Sequence, residues 1–182
     1  AQNPGMLWVL EGEAAWSQPV GVEARTCAGC HGDARESMRG VAARYPAYDD
    51  TLTRPVDLRQ RIANCRQKLQ PGALALGDHA QALALEAFVA FQSRGMPITP
   101  PADPRLAPAR ERGRSLYHQR LGQLDLACSD CHEAMAGRRL GGSPIPQAHP
   151  TAYPIYRLEW QGLGSLQRRL RACLSGVRAE PF

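Results

Sequence analysis

Cysteine and histidine stand together twice in this chain, as Cys27-Ala28-Gly29-Cys30-His31 and as Cys128-Ser129-Asp130-Cys131-His132. The C-x-x-C-H order attaches a c-type haem: two thioethers hold the porphyrin and the adjacent histidine supplies the proximal iron ligand. Two cysteines at this spacing could also form a zinc or redox pair. The surroundings argue against that, because Gly12, Trp16, Cys27 and His31 recur 101 residues later as Gly113, Tyr117, Cys128 and His132. The pattern predicts two covalently bound haem c groups. Cys27, Cys30, Cys128 and Cys131 are the attachment points, and His31 and His132 the iron ligands.

Two further cysteines share a second repeated phrase. Leu58-Arg59-Gln60-Arg61-Ile62-Ala63-Asn64-Cys65 returns 108 residues on as Leu166-Gln167-Arg168-Arg169-Leu170-Arg171-Ala172-Cys173. Tyr45-Pro46-Ala47-Tyr48 likewise returns as Tyr153-Pro154-Ile155-Tyr156. On a helix, Leu166, Leu170 and Cys173 share a face and Arg169 lies one turn before the cysteine. A guanidinium beside a thiol lowers its pKa and makes it a better nucleophile and metal ligand. The sixth position of each iron decides the chemistry. After His132 the only methionine is Met135, too close in sequence to reach across the porphyrin, and Met96 has no counterpart in the repeat. Cys65 and Cys173, in register, are the expected distal ligands. A Cys65–Cys173 disulfide and ligation by His149 are the alternatives. Arg59, Arg66, Arg168 and Arg171 are expected to be solvated, and His79 and His118 to be ordinary surface histidines.

The elements that must position these residues are helical. Apolar spacing predicts a short helix around Leu7–Trp16 and one over about 55–68 with Pro55 near its start. Pro71-Gly72 should break the chain. A further helix is expected from an Asp78-His79-Ala80-Gln81 cap through Leu83, Ala87, Ala90 and Phe91 to Gly95-Met96-Pro97. Five prolines between residues 96 and 109 suggest an extended linker. A helix over about 108–121 and the Cys173 helix, with Ser165 as N-cap and Gly176 as stop, complete the second copy. The expected fold is all-α: two tandem cytochrome c-like haem domains, residues 1–99 and 108–182, related by an internal repeat and joined by a Pro-rich linker, 100–107. The second copy carries seven extra residues between His132 and Tyr153, centred on the Gly/Pro-rich stretch 137–144 and placed to shape access to the second haem. It has no counterpart of the first copy's closing helix, so another chain or a further segment is expected to cover that face.

Composition narrows the function classes. Halves of under 100 residues bury little core by themselves, which suits a covalently attached haem in each. No apolar run approaches the roughly 18 residues a membrane span needs. The formal net charge is +5, but the propionates of two haems and two thiolates bring the loaded protein close to neutral, so a nucleic-acid partner is not expected. The basic residues Arg138, Arg139, Arg157, Arg168, Arg169 and Arg171 gather in the second copy, where anions would be drawn. Ala1-Gln2-Asn3-Pro4 reads as a mature start left after export.

The two C-x-x-C-H motifs, the stretch from Tyr153 to Ser165 (YPIYRLEWQGLGS) and Arg169-x-x-x-Cys173 followed by Arg178-Ala179-Glu180-Pro181 resemble the SoxA subunit family of the SoxAX cytochromes of bacterial thiosulfate oxidation. That resemblance spans essentially the whole chain. It implies a periplasmic protein with two His/Cys-ligated haems, Cys173 as an active-site ligand often found as a persulfide, and Arg169 as its substrate-side partner. The implied reaction is an L-cysteine S-thiosulfotransferase step: thiosulfate is joined oxidatively to a cysteine of a SoxYZ-type carrier protein, and a SoxX-type monohaem cytochrome, the heterodimer partner, takes the electrons onward. The residues are consistent with this, since Arg169 can hold an anion, Cys173 can present a sulfur, and the second haem can accept electrons. A dihaem thiosulfate dehydrogenase forming tetrathionate and a plain dihaem electron-transfer protein are the alternatives.

Overall fold

In the computed structural model, which describes residues 3–69 and 80–179, the chain order is α1 (Gly5–Ser17), α2 (Cys27–His31), α3 (Ala34–Ser37), β1 (Ala47–Asp49), β2 (Arg54–Val56), α4 (Leu58–Leu69), α5 (Ala80–Phe91), α6 (Ala107–His118), α7 (Cys128–His132), β3 (Arg139–Leu140), β4 (Ser143–Pro144), β5 (Ile155–Arg157), β6 (Gly162–Gly164) and α8 (Leu166–Gly176). Helices α1, α4, α5, α6 and α8 fall close to where apolar spacing places them, but α4 begins at Leu58, and Pro55, expected near its start, lies in β2. The expected break at Pro71-Gly72, the Asp78-His79 cap, His79, the first two residues and the last three lie outside the described residues.

The all-α expectation is corrected by three two-stranded antiparallel sheets, β1–β2, β3–β4 and β5–β6. Tyr48 faces Pro55 in the first and Tyr156 faces Leu163 in the third. Strands of two or three residues are too short to show the alternation by which a strand is read from sequence. Their pairing depends on cross-strand hydrogen bonds that residue types do not reveal. The β1–β2 hairpin leads directly into α4, and β5–β6 into α8, so the second repeated phrase is a hairpin followed by a helix.

By contacts the chain divides into two compact units, Ala1–Asp103 with Tyr153–Ser165, and Pro104–Ala152 with Leu166–Phe182. The hairpin at 153–165, which the repeat places in the second copy, therefore packs with the first unit. Tyr156 meets the Trp8 ring with centroids 5.5 Å apart, and burying two aromatic faces outweighs proximity along the chain.

In the first unit α5 carries a single charged residue, Glu86, and buries Leu83, Leu85, Phe88 and Val89, as a central helix must. Leu85, Phe88 and Val89 join Trp16, Ala34 and Leu58 in one core cluster. The helix α1 crosses α5 at Gly12, where a Cβ would lie 2.1 Å from the Ala84 carbonyl oxygen and 2.6 Å from Phe88 Cβ. Only glycine permits that approach.

In the second unit the equivalent glycine, Gly113 on α6, has nothing within 4 Å of a Cβ position. No described helix crosses α6 as α5 crosses α1. Within each unit, however, the turn before the C-x-x-C-H motif is the same. Val20 bridges Arg25 and Leu121 bridges Leu126, with Ala24 and Asp125 both left-handed at φ 49° and 47°. Among the described residues no helix is long and apolar enough to cross a membrane.

Candidate functional site

In the first unit α2 starts at Cys27 because Thr26 Oγ1 accepts the Gly29 N–H at 2.7 Å, a side-chain cap that sets the direction of both cysteines. Trp16 Nε1 donates to the Gly32 carbonyl at 3.0 Å, and its ring lies 5.8 Å from the His31 ring. Cys27, Cys30, His31 and Cys65 all line one cavity of about 470 Å³, with Met38, Val41, Leu58, Ile62, Leu85 and Val89 as apolar wall. Its volume is that of an ordinary cofactor pocket. Among the described residues no group of three or more His, Cys, Asp or Glu side chains is placed to hold a bare metal ion. The donors border a largely apolar cavity and do not converge on a point, which suits a haem and does not suit zinc.

Burial pushes the Cys27 thiol up and Cys65 adds to the effect. Burial likewise raises Cys65, with Cys30 adding and Arg61 opposing. At Cys65 desolvation outweighs the lowering by the Arg61 guanidinium. Arg61 is itself engaged. Its Nη1 lies 2.9 Å from Asp49 Oδ2, and Asp49, 1% exposed, also accepts from the Thr51 and Leu52 N–H groups at 2.9 and 3.0 Å and from Asn64 Nδ2 at 3.5 Å. Sequence reasoning missed Asp49, which stands twelve residues before Arg61 and meets it only when the hairpin folds it onto α4. Arg66, expected in solvent, is 7% exposed and borders the same cavity. Met96 sits against Gly40 and is not among the residues lining the cavity.

In the second unit the start of α7 is capped differently, by Asp130 Oδ2 accepting the Ala127 N–H at 2.9 Å, with Arg120 3.3 Å from the same oxygen. His132 Nδ1 lies 2.8 Å from the Pro146 carbonyl oxygen. A carbonyl only accepts, so Nδ1 carries the proton and the Nε2 lone pair is left available to a metal ion. The segment between α7 and Tyr153 thus orients the His132 imidazole. Gln123 N–H donates to the Arg178 carbonyl at 3.2 Å, and Gly122, at φ +72°, packs on the chain just past α8, where a Cβ would be 2.6 Å from the Val177 carbonyl oxygen. This docking brings Cys173 near the motif: burial pushes the Cys128 thiol up, and Cys173 and Cys131 add to the effect.

Cys173 is exposed. Arg169, one turn before it on α8, is partly exposed and makes no hydrogen bond or ion pair among the described residues. His149 is an exposed loop residue. All six cysteines are free, so neither Cys65 nor Cys173 is consumed by a disulfide. The second unit therefore holds two attachment thiols, an oriented imidazole, a third thiol and an uncommitted guanidinium, which is a set able to ligate a haem and hold an anion beside it.

Known proteins are similar to this chain. A family profile described as "SoxA/TsdA, cytochrome c domain" matches residues 11–98. The L-cysteine S-thiosulfotransferase subunit SoxA of Pseudaminobacter salicylatoxidans is 35% identical over 98% of this chain and 63% of its own length. That of Rhodovulum sulfidophilum is 34% identical over 100% of the chain and 63% of its own length. The chain thus spans about 63% of the length of these curated relatives. Among solved structures, the crystal structure of SoxXA from P. pantotrophus superposes with a TM-score of 0.92 at 30% identity, over 99% of this chain and 68% of that one.

Proposed function

The chain belongs to the SoxA family of cytochrome c subunits, and from that premise we propose that it joins thiosulfate to a cysteine of a SoxYZ-type carrier protein. In this reading it holds two haem c groups. Cys27 and Cys30 attach the first, with His31 and Cys65 as iron ligands; Cys128 and Cys131 attach the second, with His132 and Cys173. Bound haem of this kind takes up and passes on single electrons, at low potential where a thiolate is an axial ligand. The Arg169 guanidinium binds the thiosulfate dianion through its planar fork. Cys173, or its persulfide, presents sulfur beside that anion.

The sulfur–sulfur bond forms between the outer sulfur of thiosulfate and the carrier thiol. The S–H bond breaks, one proton is released, and two electrons leave for a SoxX-type monohaem cytochrome bound as the partner subunit. A periplasmic location accords with thioether-attached haem. The observation that carries the reading is that Arg169, one helical turn from Cys173, has no hydrogen bond or ion pair among the described residues, on a helix whose end docks against the turn before the second motif.

Product analysis tests it. Thiosulfate incubated with the loaded protein, its SoxX-type partner and the carrier should yield a carrier S-thiosulfonate. Tetrathionate formed equally well without carrier would instead mark a thiosulfate dehydrogenase. Electron transfer with no sulfur product would mark a plain carrier of electrons.

A further inference from the structure

The two copies of the arginine–cysteine helix differ in what surrounds the arginine. In the first, Asp49 lies beside Arg61 with its carboxylate almost wholly shielded from solvent. Oδ1 accepts from the backbone of Thr51 and Leu52, and Oδ2 accepts from Arg61 at 2.9 Å and from Asn64 at 3.5 Å. Arg61 borders the first cavity with Cys65 and is 45% exposed, so solvent and small anions reach it. At the 108-residue offset of this repeat, the position of Asp49 is held by Arg157 and that of Asn64 by Ala172. The carboxylate and its Asn64 donor are thus both replaced in the second copy, while the arginine is kept. Arg157 pairs with Glu159, and Arg169, the counterpart of Arg61, has no hydrogen bond or ion pair among the described residues.

We propose that Asp49 is a specificity determinant, a built-in anion that occupies the place at Arg61 which a substrate anion takes at Arg169, and so closes the first site to anionic sulfur compounds. The inference rests on the reading of Arg169 as an anion-binding group. A fixed carboxylate with two backbone donors behind it needs no ordering on binding, so a free dianion cannot displace it. Asp49 touches neither substrate nor reacting atoms. It acts by holding Arg61, and the effect is to confine sulfur chemistry to the second site although both sites carry the same helix.

Calorimetric titration of the haem-loaded protein with thiosulfate, and separately with sulfate, tests this. The wild-type chain is expected to bind one equivalent. Asp49→Asn keeps an oxygen for Thr51 and Leu52 but turns an NH2 group toward Arg61, and is expected to bind a second equivalent. Adding Arg61→Gln to that variant should abolish the gain. An Asp49→Asn protein with unchanged haem absorbance that still binds one equivalent overturns the proposal. If Asp49→Asn does not fold, Arg61→Gln alone decides: unchanged stoichiometry supports a sealed first site, and loss of one equivalent overturns it. A wild-type protein that binds none defeats the reading of Arg169, while a gain of one in Asp49→Asn still supports the clamp.

Discussion

At the scale of single residues, the second site turns on one guanidinium. A charge-assisted contact between Arg169 and a dianion is worth about 1.5–3 kcal/mol. Arg169→Ala should therefore slow carrier conjugation by about one to two orders of magnitude while leaving the haem absorbance unchanged. Arg169→Lys should recover part of the rate, because a point charge lacks the planar fork. Steady-state conjugation rates of the two variants check this, and full activity in Arg169→Ala would sink it.

Asp49 permits a pH prediction. The Leu52 N–H holds its carboxyl below the ordinary aspartate range, burial pushes the other way, and Arg61 and the Thr51 N–H add to the lowering. A depressed folded-state pKa means stability that is present above the unfolded value of about 4 and lost as pH falls through the folded one. The charged and polar side chains facing it are Arg61 and Asn64 from α4. The melting temperature of wild type should exceed that of Asp49→Asn at neutral pH, and the gap should close as pH falls below about 4. A gap independent of pH would rule the linkage out.

At the scale of elements, the two equivalent glycines should respond with opposite sign. Gly12→Ala drives a Cβ into the Ala84 carbonyl and Phe88, and backbone on one side cannot give way cheaply. A cost of about 1–3 kcal/mol is expected, with α1 and α5 forced apart. Gly113 sits inside α6 with open space around it, so Gly113→Ala should stabilise this chain by about 0.5–1 kcal/mol through helix propensity. Chemical denaturation of both variants gives the comparison. A protein or segment that packs across α6 as α5 packs across α1 would reverse the second sign, which makes Gly113→Ala a probe for what covers that helix. The helix α8 buries none of its residues and leaves Leu170 51% exposed, so the functional helix itself has apolar surface available for a covering group.

At the scale of the whole molecule, the number of haems and the partner are measurable. The loaded chain should contain two haems by alkaline pyridine assay, and one after Cys128→Ala with Cys131→Ala. Electron paramagnetic resonance should show two low-spin thiolate-type signals. Cys65→Ala should remove one of them, and two unchanged signals would show that Cys65 is not the first ligand. A SoxX-type monohaem cytochrome should form a one-to-one complex with the loaded chain in light scattering, and the absence of affinity at micromolar concentration would count against the heterodimer. Because the loaded protein is close to neutral, that association should depend only weakly on salt.

The sequence by itself determined where the two C-x-x-C-H motifs and the repeated phrases stand, because both are written in residue types at fixed spacing. Two C-x-x-C-H motifs need no tertiary contact to be recognised, and Cys65 and Cys173 announce their equivalence by register. Helix positions were legible for the same reason: a period of 3.6 shows in a dozen residues. The short hairpins were not legible, and neither was the placement of 153–165 with the first unit, since the Trp8–Tyr156 contact joins residues far apart in the chain. The fate of each arginine was also decided in three dimensions. Arg61, Arg66 and Arg169 look alike as letters, but Arg61 is clamped by a carboxylate twelve residues away, Arg66 is buried at the cavity wall, and Arg169 has no hydrogen bond or ion pair among the described residues. Long-range packing sets the dielectric and the counter-charge around a side chain, and those quantities decide whether the same guanidinium is structural or available to a substrate.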